Sequence, residues 1–195
     1  MKNNGLSLQQ LVDWKKSIDN GSSIGIFEDP TTGKMYGAKS VTESAAGYFT
    51  ELKNGNVFDA SYQPVEGVRT IKGTAIGAGI NQLVYAIRVL TDTSITTQDE
   101  ASLIAAAWKD TAPVQMKNGR FSMFSGGELV RITGTDIHNF KASTGNDADF
   151  KDIVPFQLRG DVNFQATFNL AGTPAVKHAY KLEWRAIEFT EISKV

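Results

Sequence analysis

A chain of 195 residues with 41% hydrophobic and 21% charged side chains suits one well-filled core and is too apolar for a disordered tail. Its 20 Lys+Arg against 21 Asp+Glu leave a formal net charge of −1, which argues against a surface that grips nucleic-acid phosphates. The absence of Cys excludes disulfide frameworks and thiolate metal sites, and the 18 Gly and 11 Phe lean towards β structure.

The N-terminus, Met1 to Ser7, lacks the apolar stretch of a signal peptide. The longest uncharged run, between Lys72 and Arg88, is too polar and too short for a bilayer span of about 20 residues. The expectation is a soluble protein without a transmembrane segment.

Ser7 and Gln10 have capping-box spacing, and Leu8, Leu11, Val12 and Ile18 then share a helical face that stops at Asn20-Gly21. Lys15-Lys16, the longest basic run, reads as a solvated part of that helix. The apolar stripe, with Trp14 beside it, must lie across the main domain or against a neighbouring subunit. From Ser23 the texture changes. Ile24–Phe27, the turn Asp29-Pro30-Thr31-Thr32-Gly33 and then Lys34-Met35-Tyr36 read as strand, turn, strand. Ser44–Leu52 is ambiguous. Val68–Lys72 and Gln82–Leu90 read as strands, the second buried on both faces.

Thr97 and Glu100 have a second capping-box spacing and predict a short helix running to Trp108 ahead of Pro113. Val114–Met116 and Arg120–Phe124 flank Lys117-Asn118-Gly119 as a hairpin, and Leu129–Thr133 is a further strand. Residues 141–149 form a polar loop. Val162 to Leu170 alternates strictly, as does Tyr180, Leu182, Trp184 and Ala186 with Lys181, Glu183 and Arg185 outward. The phase then slips to Ile187 and Phe189, which suggests a β-bulge or a strand crossing between sheets. Phe164, Phe168, Leu182 and Trp184 are the expected interior. The pattern predicts an all-β fold, a single jelly-roll-like β-sandwich with short helical inserts and an N-terminal helix. Residues 1–22 form the helical segment and 23–195 the sandwich domain.

The sequence contains no constellation that a catalytic mechanism requires, and no catalytic, cofactor-binding or metal-binding residue is assigned. His138 and His178 lie far apart without metal-ligand spacing, and each reads as a surface or rim histidine. Ser125-Gly126-Gly127 lacks the glycine of a nucleophile elbow, since position 123 is Met. Gly33-Lys34 lacks the rest of a phosphate loop, and Gly73, Gly77 and Gly79 lack dinucleotide-binding spacing. Asn146, Asp147, Asp149 and Asp152 could chelate calcium, but they miss the EF-hand pattern and read first as solvated loop carboxylates. Arg159-Gly160-Asp161 spells an adhesion tripeptide that is equally good turn chemistry, and Asn20-Gly21-Ser22 is a glycosylation sequon without a secretion signal.

The order of elements resembles jelly-roll coat and vertex (penton-type) proteins of tailless icosahedral bacteriophages. The matching stretches are Gly47-Tyr48-Phe49 before Asn54-Gly55-Asn56, the paired strands from Val68 to Leu90, the insert helix Thr97–Trp108 and the Val114–Phe124 hairpin. The ending matches best, with Val154-Pro155-Phe156-Gln157-Leu158-Arg159 feeding Val162–Leu170 and Tyr180–Ile192. The resemblance is one of layout over roughly residues 45–192. It implies a structural virion protein that catalyses nothing, assembles as a pentamer or trimer with copies of itself and other capsid proteins, and resides in the virion after assembly in host cytoplasm. The first fourteen residues carry only Lys2 as a basic side chain, so direct genome contact is not expected. The alternative is a carbohydrate-binding module or lectin on the same sandwich, which would need Trp14, Trp108 or Trp184 as an exposed stacking platform. An enzyme on a cupin-like barrel would need the clustered histidines that this sequence lacks.

Overall fold

The computed structural model describes the chain except residues 1–5, 21–23, 53–54, 60, 62, 110–112, 126–127, 138–149, 161, 174–177 and 194–195; for 24, 128–131 and 133–136 it describes the backbone alone. Helix α1 (Leu8–Asp19) leads into strands β1 (Ile24–Glu28) and β2 (Met35–Tyr48), followed by β3 (Ile80–Asp92). Short helices α2 (Glu100–Ile104) and α3 (Val114–Lys117) precede β4 (Arg120–Ser125), β5 (Glu128–Asp136), β6 (Lys151–Arg159), β7 (Phe164–Asn169) and β8 (Ala179–Ile192). The strands form a five-stranded sheet, β1-β2-β8-β3-β6, and a three-stranded sheet, β5-β4-β7, with every pairing antiparallel.

The pairing is nested. β2 pairs with β8, β3 with β6 and β4 with β5. The position between β2 and β3 is filled by a bridge at Asn56, which pairs with Thr167 of β7. Val57 N donates to Ala166 O at 2.7 Å and Phe168 N to Gly55 O at 2.9 Å, so this stub serves as the missing strand. First with last, second with seventh, third with sixth and fourth with fifth is the strand pairing of a jelly roll. The expected all-β sandwich is therefore the observed fold.

One cluster fills the space between the sheets, with Val84, Ile87, Val89, Phe156, Leu182 and Trp184 on one side and Phe121, Met123, Phe164 and Phe168 on the other. Phe164, Phe168, Leu182 and Trp184 are each at most 1% exposed, as alternation predicts. Their rings interlock: Phe58 meets Phe164 edge-on at 4.7 Å and Phe168 meets Tyr180 at 5.4 Å. Such pairs add about 0.5–1.5 kcal/mol each beyond area burial.

Helix α1 docks on its own chain, on the outer face of the large sheet, where Leu6, Leu11 and Ile18 cover Tyr36, Ala38, Leu83, Ile187 and Phe189. Its capping box is present, with Ser7 Oγ accepting from Gln10 N and Gln10 Oε1 from Ser7 N at 2.8 Å. Trp14 stacks on Phe27 at 4.9 Å. Lys15 is not the solvated charge expected of it, since it pairs with Asp19 and lies over the Tyr85 ring at 4.5 Å.

This docking explains the change at Ile187. β8 keeps unbroken register with β2, so its faces never exchange. Tyr180, Leu182, Trp184 and Ala186 face the sandwich core, and Ile187 and Phe189 face α1. The opposite face turns apolar where the helix covers it. The irregularity lies in β3, whose register shifts between Val84 and Ala86 and leaves Tyr85 as an extra residue. That bulge keeps Val84 and then Ile87 and Val89 on the core side.

Three further expectations are corrected. Val68–Lys72 is not a strand but a chain of turns with isolated bridges, because Thr70 bonds sideways to β2: its N donates to Ser44 O at 3.1 Å and its hydroxyl accepts from Ser44 N at 2.8 Å. The helix expected from Thr97 to Trp108 spans only Glu100–Ile104 and is capped by Asp99. Beyond it, Asp92 takes the Ala107 N–H at 2.8 Å and draws the chain back to β3. Val114–Met116 is helical, because Met116 N and Lys117 N both donate to Pro113 O at 3.0 Å and bury Met116. The hairpin expected around Lys117-Asn118-Gly119 is a helix-to-strand turn.

Truncating Phe168 to Ala removes a ring that touches Phe121 and Tyr180 between the sheets. Denaturant unfolding is expected to show a loss of about 3–5 kcal/mol, whereas a loss below about 1 kcal/mol contradicts the core assignment.

Candidate functional site

On the core side of the large sheet, one cross-strand row is polar. Lys39, Glu188 and Gln82 are register neighbours on β2, β8 and β3, and Glu43 reaches the same group. Gln82 is 1% exposed and fully engaged. Its amide N–H groups donate to Glu43 Oε1 at 2.9 Å and Glu188 Oε2 at 3.4 Å, and its carbonyl accepts from Trp184 Nε1 at 3.3 Å. Lys39 closes the row on Glu188 at 2.9 Å, which holds its ammonium above the usual lysine value. Each buried group has a partner, as burial demands.

Beyond that row, the same face carries Ile26, Gly37, Met35 and Ile192, which follow from the β1–β2 and β2–β8 registers. Ile26 is 68% exposed and Ile192 38%. A Cβ added at Gly37 would make ordinary van der Waals contact with Ile192 Cγ2, at 3.7 Å. At the opposite edge of the sheet, Val154 of β6 is 77% exposed. There the pairing jumps from Val84↔Phe156 to Ala86↔Asp152, so Ile153, Val154 and Pro155 bulge out opposite Tyr85.

The outer face is apolar at both ends and charged between them. α1 covers one end, while Leu103 and Val68 cover Ala46, Tyr48 and Ala179 at the other. In the middle Glu183 accepts from Arg88 at 2.5 Å and pairs with Lys181 at 2.8 Å, its side chain only 8% exposed. Arg88 and Arg185 lie over the Phe150 ring at 4.5 and 4.2 Å, and Lys181 over Trp108 at 5.9 Å. Lys181, Glu183 and Arg185 thus point away from the core as alternation predicts, but aromatic rings lie against Lys181 and Arg185, and Glu183 is held between Arg88 and Lys181.

The residues singled out in the sequence do not converge. His178 is half-buried beside β8, where its carbonyl accepts from Phe49 N at 3.0 Å, and its Nδ1 has no hydrogen-bond partner among the described residues. Ser125 ends β4 opposite Phe164 and Glu128. Gly33, Gly73, Gly77 and Gly79 all have positive φ and serve turns, with Lys34 bonded to Glu191 at 2.8 Å. Gly160 packs so tightly that a Cβ would lie 1.6 Å from Gly77 O, which is the structural reason for glycine there. Asp152 is exposed on β6. His138, Gly126, Gly127, Asn146, Asp147, Asp149, Asp161, Gly21 and Ser22 lie outside the described residues. Among the described residues no three His, Asp or Glu side chains gather as metal ligands, and no helix is long and apolar enough to cross a membrane.

A cleft of about 460 Å³ opens between the start of α1, the β1–β2 turn and the end of β6. Its carboxylate, Asp29, is already saturated by the Thr32 hydroxyl at 2.6 Å, Thr31 N at 2.9 Å and Gln10 Nε2 at 3.0 Å. These bonds, that from Thr32 first, hold its pKa below the ordinary 3.8. At Asp92 burial pushes the pKa up, but the bonds from Ser94 and Ala107 outweigh it and the net shift is downward.

No protein-family model matches the chain, and no curated protein or solved structure matches it. The fold assignment rests on strand pairing alone.

Because the folded pKa values of Asp29 and Asp92 lie below 3.8, both carboxylates stabilise the fold above that pH. This stabilisation is lost as pH falls through the folded values. Melting temperatures measured from pH 6 down to about pH 2 are expected to fall most steeply below the ordinary carboxylate value. Asp29→Asn and Asp92→Asn should each flatten that fall, and an unchanged acid limb in both variants contradicts the assignment.

Proposed function

We propose that this chain is a structural virion protein: a jelly-roll capsid or vertex component that assembles with copies of itself, and with other capsid proteins, into an icosahedral shell. The observation that carries the reading is a jelly roll whose five-stranded sheet leaves Ile26 and Ile192 exposed on its core-side face, next to half-buried Met35. A large exposed side chain on an edge strand is a liability that burial against a neighbour removes. The element order resembling phage coat and vertex proteins supports the same reading, and a single sandwich suits a vertex or single-barrel shell role. With a net charge of −1, the chain is proposed to contact protein neighbours rather than the genome. The sugar-binding alternative loses its platform: Trp184 is buried, Trp14 stacks on Phe27, and Trp108 is half-buried beneath Lys181.

Light scattering of the purified full chain across a concentration series tests the reading. A mass of five or three protomers is expected. A chain that stays monomeric at high micromolar concentration and is never found in purified particles would overturn it.

A further inference from the structure

We propose that residues 93–108 form a flap that opens as one unit while the sandwich stays folded, held shut by two polar latches, the Asp92 carboxylate and the Tyr48 hydroxyl. Its opening bares the apolar end of the outer face around Ala46, Val68 and Ala179.

The flap leaves and rejoins the fold at one place. At its base Thr91 N donates to Lys109 O at 2.7 Å and Lys109 N to Thr91 O at 2.9 Å, so its two ends are bridged neighbours. A surface excursion whose ends meet can swing out without disturbing the strand that carries it. Little apolar surface holds it down. Leu103 is the single buried side chain from residue 93 to 108, with Ile95 and Trp108 half-buried beside it. α2 is five residues long, well short of a helix that is stable by itself. Clefts of about 360 and 200 Å³ open beside it, one towards Glu51, Asp59 and Arg69, the other towards Asp92 and Ile95. Segments with few buried apolar contacts are those that open below the global transition.

Polar bonds at fixed places hold the flap instead. Asp92 is 6% exposed, and its carboxylate accepts from Ala107 N at 2.8 Å and from Ser94 N and Oγ at 2.7 and 2.6 Å. It thereby ties both arms of the flap to the end of β3. Tyr48, whose ring is buried at the end of β2, reaches the far side. Its hydroxyl lies 3.0 and 2.9 Å from Thr97 O and Asp99 O, and it accepts from Asp99 N at 3.2 Å. The other ties, Arg69 to Glu100 at 3.4 Å and Gln98 to Thr50 at 2.6 Å, are exposed and contribute little. Both latches belong to the sheet, so breaking either frees the flap without moving the strands.

Native-state hydrogen exchange of the full chain tests this at the amides of Ser102, Leu103, Ala105 and Ala107, each of which has an acceptor in the closed form. These are expected to open with one common free energy and a shallow dependence on denaturant, well before β8. Tyr48→Phe keeps the ring and should speed all of them alike, by about 3- to 10-fold, and Asp92→Asn by about 10- to 100-fold. Val84→Ala thins the core between the sheets, so it should speed the β8 amides and leave the flap amides unchanged. Flap amides that wait for global unfolding, or that are unprotected in the wild type, overturn the proposal. So does a latch variant that speeds only the amide nearest to it, or a Val84→Ala effect that the flap shares.

Discussion

Strand β8 has to satisfy two cores at once, and the architecture is arranged around that demand. Tyr180, Leu182, Trp184 and Ala186 project between the sheets, while Ile187 and Phe189 lie under α1. A strand of period two can do this only while its register is held, because a slip of one residue would turn each set to the wrong side. β2 holds it along the whole strand on one side. β3 holds it on the other by bulging once at Tyr85, which lets Val84, Ile87 and Val89 all reach the core.

The same strand carries the polar row. Trp184 is buried and its indole N–H must find an acceptor, which Gln82 supplies. Gln82 then needs carboxylates for its own amide, and Glu43 and Glu188 provide them. A row of satisfied polar groups thus lies beside the apolar core on the same face. The apolar face beyond the row is left to other contacts. On the outer face Glu183 is flanked by Arg88 and Lys181, whose cationic groups lie against the Phe150 and Trp108 rings.

Much of this arrangement was legible in the sequence wherever period-two alternation ran without interruption. The inner faces of β7 and β8, the buried β3 and the capped α1 follow directly from residue order. What misled was local chemistry that tertiary contacts override. Asn118-Gly119 is good hairpin chemistry, yet Pro113 turns the preceding residues into a helix. Thr97 is a plausible cap, yet Asp99 takes the position by accepting from Ser102 N at 2.7 Å. The change at Ile187 was visible as a pattern but assigned to the wrong strand, because a single sequence does not show which partner carries the extra residue. The uncovered flank was illegible for a related reason: Ile26, Gly37 and Ile192 come from both ends of the chain and meet only through the β1–β2 and β2–β8 registers.

If β8 is the strand on which both cores depend, its amides should open only when the whole domain unfolds. Native-state hydrogen exchange measures this residue by residue. The account predicts that amides from Leu182 to Phe189, with Leu83 to Val89 of β3, exchange at the rate of global unfolding, while those of edge strand β1 exchange much faster. Exchange of the β8 amides as fast as those of β1 would contradict it.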